Sequence, residues 1–181
     1  MLFRSEASLA DAAALARAAH LDEERLAARA LRAEAALDAR PDDRVAASVA
    51  LDRLMGHGVV LHDPEGFTPY LEALRAEAQA RLGEVDRARA SLTLALATRP
   101  PAVMRVRLAL RIARVQQALG DTPAARTTLL VAHDQAAAHG ADLLVWRAAT
   151  ALARLDGTPP PEAGALCTGL ADGERAALST R

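Results

Sequence analysis

Three glycines, Gly83, Gly120 and Gly157, stand 37 residues apart, each at the end of a run of helix-forming residues. A fixed period of this size is the signature of a repeat architecture, in which each unit is one supersecondary element that buries its apolar face against the next. Aligned on the glycines, Ala76, Ala88, Leu92 and Ala95 coincide in order with Ala113, Ala125, Leu129 and Ala132. Small residues at matched positions let two helices approach closely, and the leucine fills the groove between them.

Composition agrees with helices and excludes sheets. Alanine supplies about a quarter of the chain, far above its usual share. Aromatic residues make up 2% and Ile112 is the only isoleucine, so the side chains that suit a pleated sheet are scarce. Ala, Leu, Arg and Glu lose little rotamer freedom in a helix and dominate instead. At 181 residues the chain suits one compact domain or a short repeat array.

Breakers divide the chain into segments. The pattern predicts helices over Ser8 to His20, Leu21 to Ala39 and Asp43 to Met55, with Pro41 as a stop and Asp42 or Asp43 as a cap. Gly56 to Gly66 is rich in Gly, Pro and His and reads as the main loop. Further helices are predicted over Pro69 to Leu82, Val85 to Thr98, Val103 to Leu119, Asp121 as a cap through to His139, and Asp142 to Leu155. The organisation is therefore helices over 1–56, a loop over 57–66, repeats over 67–157, and a proline linker and tail over 158–181, with at most a short helix near Asp172 to Ser179. In the Val103 stretch Val106, Leu110 and Ala113 share one face while Leu108, Ile112, Val115 and Leu119 extend the stripe, as expected of a helix sandwiched between neighbours.

On these residues the chain resembles the tetratricopeptide repeat family. Gly83 falls at the turn between helices A and B, Ala76 at the small position of helix A, Ala88, Leu92 and Ala95 at the small, bulky and small positions of helix B, and Pro100 at the closing proline. The second unit keeps Ala113, Gly120, Ala125, Leu129 and Ala132 but carries Ala137 in place of the proline. The family's aromatic residues are absent, the period exceeds the usual value of about 34, and Pro159 to Pro161 replaces helix B of the third unit. The resemblance covers residues 67–157 and implies an all-α fold of antiparallel helix pairs stacked as a right-handed solenoid. The longer period is similar to that of repeat domains in bacterial transcriptional regulators and signal-transduction ATPases. Ser8 to Ala39 would then be a degenerate unit.

The resemblance also implies a site. Inner positions of successive A helices would carry Arg81, then Arg107 and Arg114, then Arg147 and Arg154, lining the concave face that solenoids use for binding. Arginines so arranged suit carboxylates or phosphates through bidentate hydrogen bonds. Between Met104 and Leu155 seven arginines face three aspartates, whereas the whole chain balances 22 basic residues, all arginine, against 23 acidic ones. The expected function is a non-catalytic interaction module holding an acidic peptide or partner domain. The alternative is a ligand-sensing regulatory domain of the kind found in bacterial transcriptional regulators.

Other chemistries find less support. His57 and His62 flank the loop with Asp63 and Glu65 nearby, a set that would serve a metal-dependent hydrolase, but such residues are also ordinary turn formers and no helical His-x-x-x-His pair occurs. Cys167 stands alone, and there is neither a nucleophile elbow nor a phosphate loop. No enzymatic activity, cofactor, metal or direct nucleic-acid binding is expected, the balanced charge giving no basic footprint. No apolar run reaches membrane-spanning length and Met1 to Glu6 has no leader character, so a cytoplasmic protein is expected. Trp146, the only tryptophan, is expected to pack at a hairpin interface, with a partner contact beside Arg147 as the alternative. The uncovered side of the Asp142 helix leaves a place for the tail or for a second protomer, and a homodimer is the preferred reading.

Overall fold

The computed structural model describes residues 22–39, 43–54 and 67–162. The predicted Ser8 to His20 helix, the His57 to Glu65 loop, Cys167 and the tail helix near Asp172 lie outside the described residues. Those described form seven helices and no strand: α1 (Asp22–Ala39), α2 (Arg44–Leu54), α3 (Phe67–Leu82), α4 (Val85–Leu96), α5 (Ala102–Ala118), α6 (Thr122–Ala138) and α7 (Asp142–Leu155). The all-α class follows.

Local signals account for the helix ends. The Asp43 carboxylate accepts from the Val45 amide at 2.8 Å, opening α2, and the Asp121 carboxylate accepts from the Ala124 amide at 3.1 Å, opening α6 with Pro123 in its first turn. Helix α4 stops at Leu96, two residues short of the predicted Thr98, with Ala97 as its cap. Helix α3 begins at Phe67, two residues before the predicted start, since Pro69 is tolerated in the first turn.

The period is structural as well as sequential. Gly83 and Gly120 adopt φ of +85° and +82°, a left-handed conformation open to glycine without a Cβ penalty. The Gly83 amide donates to the Ala80 carbonyl and the Glu84 amide to the Gln79 carbonyl, at 3.0 and 2.9 Å. The same two bonds recur from Gly120 to Gln117 and from Asp121 to Gln116, at 3.0 and 2.8 Å, and again from Gly157 to Arg154 and Thr158 to Ala153. This is the Schellman arrangement, which satisfies carbonyls that a helix end leaves without partners.

The described helices belong to two compact units that divide between Met104 and Arg105, within α5. In the N-terminal unit α3 packs against α1, α2 and α4, and α1 also packs against α2. Contact on three sides buries α3 almost all round, from Tyr70, Leu71 and Leu74 to Ala76, Ala78 and Ala80. Ala88 and Ala95 of α4 are buried as the alignment predicts, whereas Leu92 is only half-buried. In the C-terminal unit Val106, Ala132, Ala136 and Leu144 join α5, α6 and α7 in one cluster. Ala113, Ala125 and Leu129 form a second, against which Leu110, Ala151, Leu152 and Leu155 pack.

Nothing lies near a Cβ built on Gly120, so its substitution tests backbone conformation alone. Gly120→Ala should cost about 1–2 kcal/mol, the penalty of placing a Cβ in the left-handed region. Gly120→Asn should cost less, because asparagine tolerates that region better. Urea unfolding of the three proteins gives the comparison.

Candidate functional site

The five arginines singled out by the sequence fall in different settings. Arg81 belongs to the N-terminal unit, in the last turn of α3. One guanidinium nitrogen pairs with the Glu77 carboxylate one turn earlier, and the other donates to the Leu37 carbonyl at 2.9 Å. Glu77 is fully buried and the Arg81 side chain only 13% exposed. Leu37 lies in the last turn of α1, so Arg81 supplies a donor to a carbonyl that its own helix leaves unsatisfied. Arg44 does the same for the Leu82 carbonyl at the end of α3, at 2.7 Å. Arg81 is thus spent on joining α1 to α3.

The other four lie in the C-terminal unit. Arg107 and Arg114 stand seven residues apart on α5, as do Arg147 and Arg154 on α7, so each pair shares one helix face. Arg107, Arg114 and Arg147 are half-buried and Arg154 is exposed. Both helices contribute to the same apolar clusters: Val106 of α5 and Leu144 of α7 belong to one, and Leu110 of α5 and Ala151, Leu152 and Leu155 of α7 pack against the other. Small residues on α6, namely Ala125, Ala132 and Ala136, complete the packing. The 37-residue period does not carry these arginines onto one another: it aligns Arg107 with Tyr70 and Leu144, and Arg114 with Glu77 and Ala151. They come from two neighbouring helices rather than from one repeated position.

Arg126 on α6 grips Asp156, just past α7, with two parallel bonds of 3.1 and 3.0 Å. Hydrogen bonding to Arg126 holds the Asp156 carboxyl below its ordinary range. Elsewhere, burial pushes the Glu72 carboxyl up, with Arg75 beside it pulling the other way. Arg111, counted in the basic excess, is buried.

Two polar contacts escaped the sequence reading. The Ser91 hydroxyl donates to the Gln79 side-chain oxygen at 3.0 Å, and 37 residues later the Thr128 hydroxyl donates to Gln116 at 2.9 Å. The signal was present, a glutamine and a hydroxyl recurring at the period.

Among the described residues no group of three or more His, Cys, Asp or Glu side chains is arranged to hold a metal ion. No described helix is long and apolar enough to cross a membrane. No family model, curated protein or solved structure matches the chain.

Arg81→Ala should destabilise the protein by about 3–5 kcal/mol, because it removes one partner of a buried ion pair. Replacing the pair together, Glu77→Leu with Arg81→Met, should restore most of that loss, as apolar substitutes for buried pairs commonly do. Denaturant midpoints decide between them. At the Arg126 pair the sign differs: a carboxyl depressed in the folded state adds stability above its unfolded range, which is lost as pH falls through the folded value. Asp156→Asn should therefore lower the urea midpoint at pH 7 and leave it unchanged at pH 2, and added salt should shrink the difference because both side chains are exposed.

Proposed function

We propose that the chain is a non-catalytic protein-interaction module, a tetratricopeptide-like array of antiparallel helix pairs stacked as a right-handed solenoid. The bound partner is an acidic peptide or an acidic segment of another protein. The observation that carries this reading is the shared apolar packing of α5, α6 and α7, in which α5 bears Arg107 and Arg114 and α7 bears Arg147 and Arg154. The repeated turn at Gly83 and Gly120, with its matching Gln79–Ser91 and Gln116–Thr128 bonds, supports the array.

Carboxylates suit such a surface for a physical reason. A guanidinium is always charged, weakly hydrated and presents a rigid fork of donors, so it loses little entropy for each bond it forms. Apolar neighbours along the helix hold its stem, and its fork of donors matches the two oxygens of a carboxylate. Arg81 takes no part, because its guanidinium is committed to Glu77 and Leu37.

A fluorescein-labelled hexaglutamate peptide tests the reading. Changing Arg107, Arg114 and Arg147 together to alanine should weaken binding by about 30-fold or more, given roughly 1.5–3 kcal/mol for each charge-assisted bond lost. Arg89→Ala, on an exposed part of α4, should have no effect. An unchanged dissociation constant in the triple variant contradicts the proposal.

A further inference from the structure

The third unit ends differently from the first two. After Gly157 the chain continues as Thr158-Pro159-Pro160-Pro161-Glu162, where the other units begin a helix B. The Thr158 amide closes the turn on the Ala153 carbonyl at 2.8 Å, and the Thr158 hydroxyl donates to the same oxygen at 3.3 Å. Three residues on, the Pro161 carbonyl accepts from the Trp146 indole nitrogen of α7 at 3.2 Å. The proline run therefore returns along α7 to the level of Trp146, near the helix start. Pro161 and Trp146 are half-buried, while Pro159 and Pro160 are exposed.

The register shows what this face of α7 is built for. Thr150 occupies the position held by Ala76 and Ala113, and Ala153 the position held by Gln79 and Gln116. In the first two units the glutamines face helix B, since they meet Ser91 and Thr128 there. Thr150 is buried at 7% exposure, yet its hydroxyl has no hydrogen-bond partner. It lies one turn from Trp146, so its side chain and the indole are neighbours on one stripe. The stripe thus offers two donors: an indole N–H already taken by a proline carbonyl, and a buried hydroxyl left idle.

We propose that the Trp146–Thr150 stripe of α7 is a recognition site for an extended proline-rich peptide, occupied in cis by the chain's own Thr158 to Glu162 segment. A tryptophan that donates to a proline carbonyl suits polyproline II, a conformation that is preformed and has no internal hydrogen bonds to compete for its carbonyls. The cis segment satisfies one donor and leaves the other. A proline-rich segment from another protein that reaches both has an advantage, and it displaces a tethered competitor present at high effective concentration. This site is separate from the arginine surface and does not depend on it.

Trp146 is the only tryptophan, so its emission reports on the site alone. The full chain is compared with a variant carrying Pro159→Gly, Pro160→Gly and Pro161→Gly, both first shown by far-UV circular dichroism to have equal helix content. The variant should emit further to the red. Acetyl-Thr-Pro-Pro-Pro-Glu-amide should reverse that shift, binding the variant at least tenfold more tightly than the parent chain, and a peptide with glycine in place of the prolines should do nothing. Acetyl-octaproline-amide, long enough to reach both donors, should bind the variant at least threefold more tightly than the pentapeptide, and adding Thr150→Val, nearly isosteric, should remove that gain. Unshifted emission, equal response to both peptides, equal affinity in parent and variant, or no effect of Thr150→Val overturns the proposal. Loss of helix content in the triple variant is met by Pro161→Gly alone, read against the same outcomes.

Discussion

A helix that ends on a left-handed glycine has its last turn fixed, and with it the direction in which the next helix sets out. Gly83 and Gly120 impose that constraint with the same pair of backbone bonds. Because each turn takes the same path, residues a set distance before and after the glycine meet again in the next unit. That is why Gln79 finds Ser91 and Gln116 finds Thr128. The buried alanines recur on either side of the turn, Ala76 and Ala88 about Gly83 and Ala113 and Ala125 about Gly120, where small side chains let helices approach closely.

Arginine, the only long basic side chain here, is put to two uses. In the N-terminal unit Arg81 and Arg44 reach carbonyls at the ends of neighbouring helices, so that charge and donor satisfy what a helix C-terminus lacks. In the C-terminal unit Arg126 of α6 pairs with Asp156 just past α7, while Arg107 and Arg114 sit on α5 and Arg147 and Arg154 on α7. An even overall charge conceals this division of labour, which depends on where each helix ends.

Much of the fold was legible because its causes are local. Helix spans followed from glycine, proline and capping aspartates, and alanine burial followed from a period of 37. Leu92 departed from its partner Leu129, remaining half-buried although the alignment gave both the same place. The fate of Arg81 was not legible. A glutamate four residues before an arginine is an everyday exposed helix pair, and only contact of α3 with α1, α2 and α4 buries Glu77 and turns the pair into a link between helices. The return of Pro161 to Trp146 was equally hidden, since it joins residues 15 apart through an irregular segment.

The central claim is that one turn, with the side-chain bond across it, is built twice by one period. A double-mutant cycle on each of those bonds tests it directly: Gln79→Ala with Ser91→Ala, and Gln116→Ala with Thr128→Ala, each pair measured by urea unfolding. Repetition predicts favourable couplings of the same size in both cycles, about 0.5–1.5 kcal/mol. A coupling near zero in either one would contradict it.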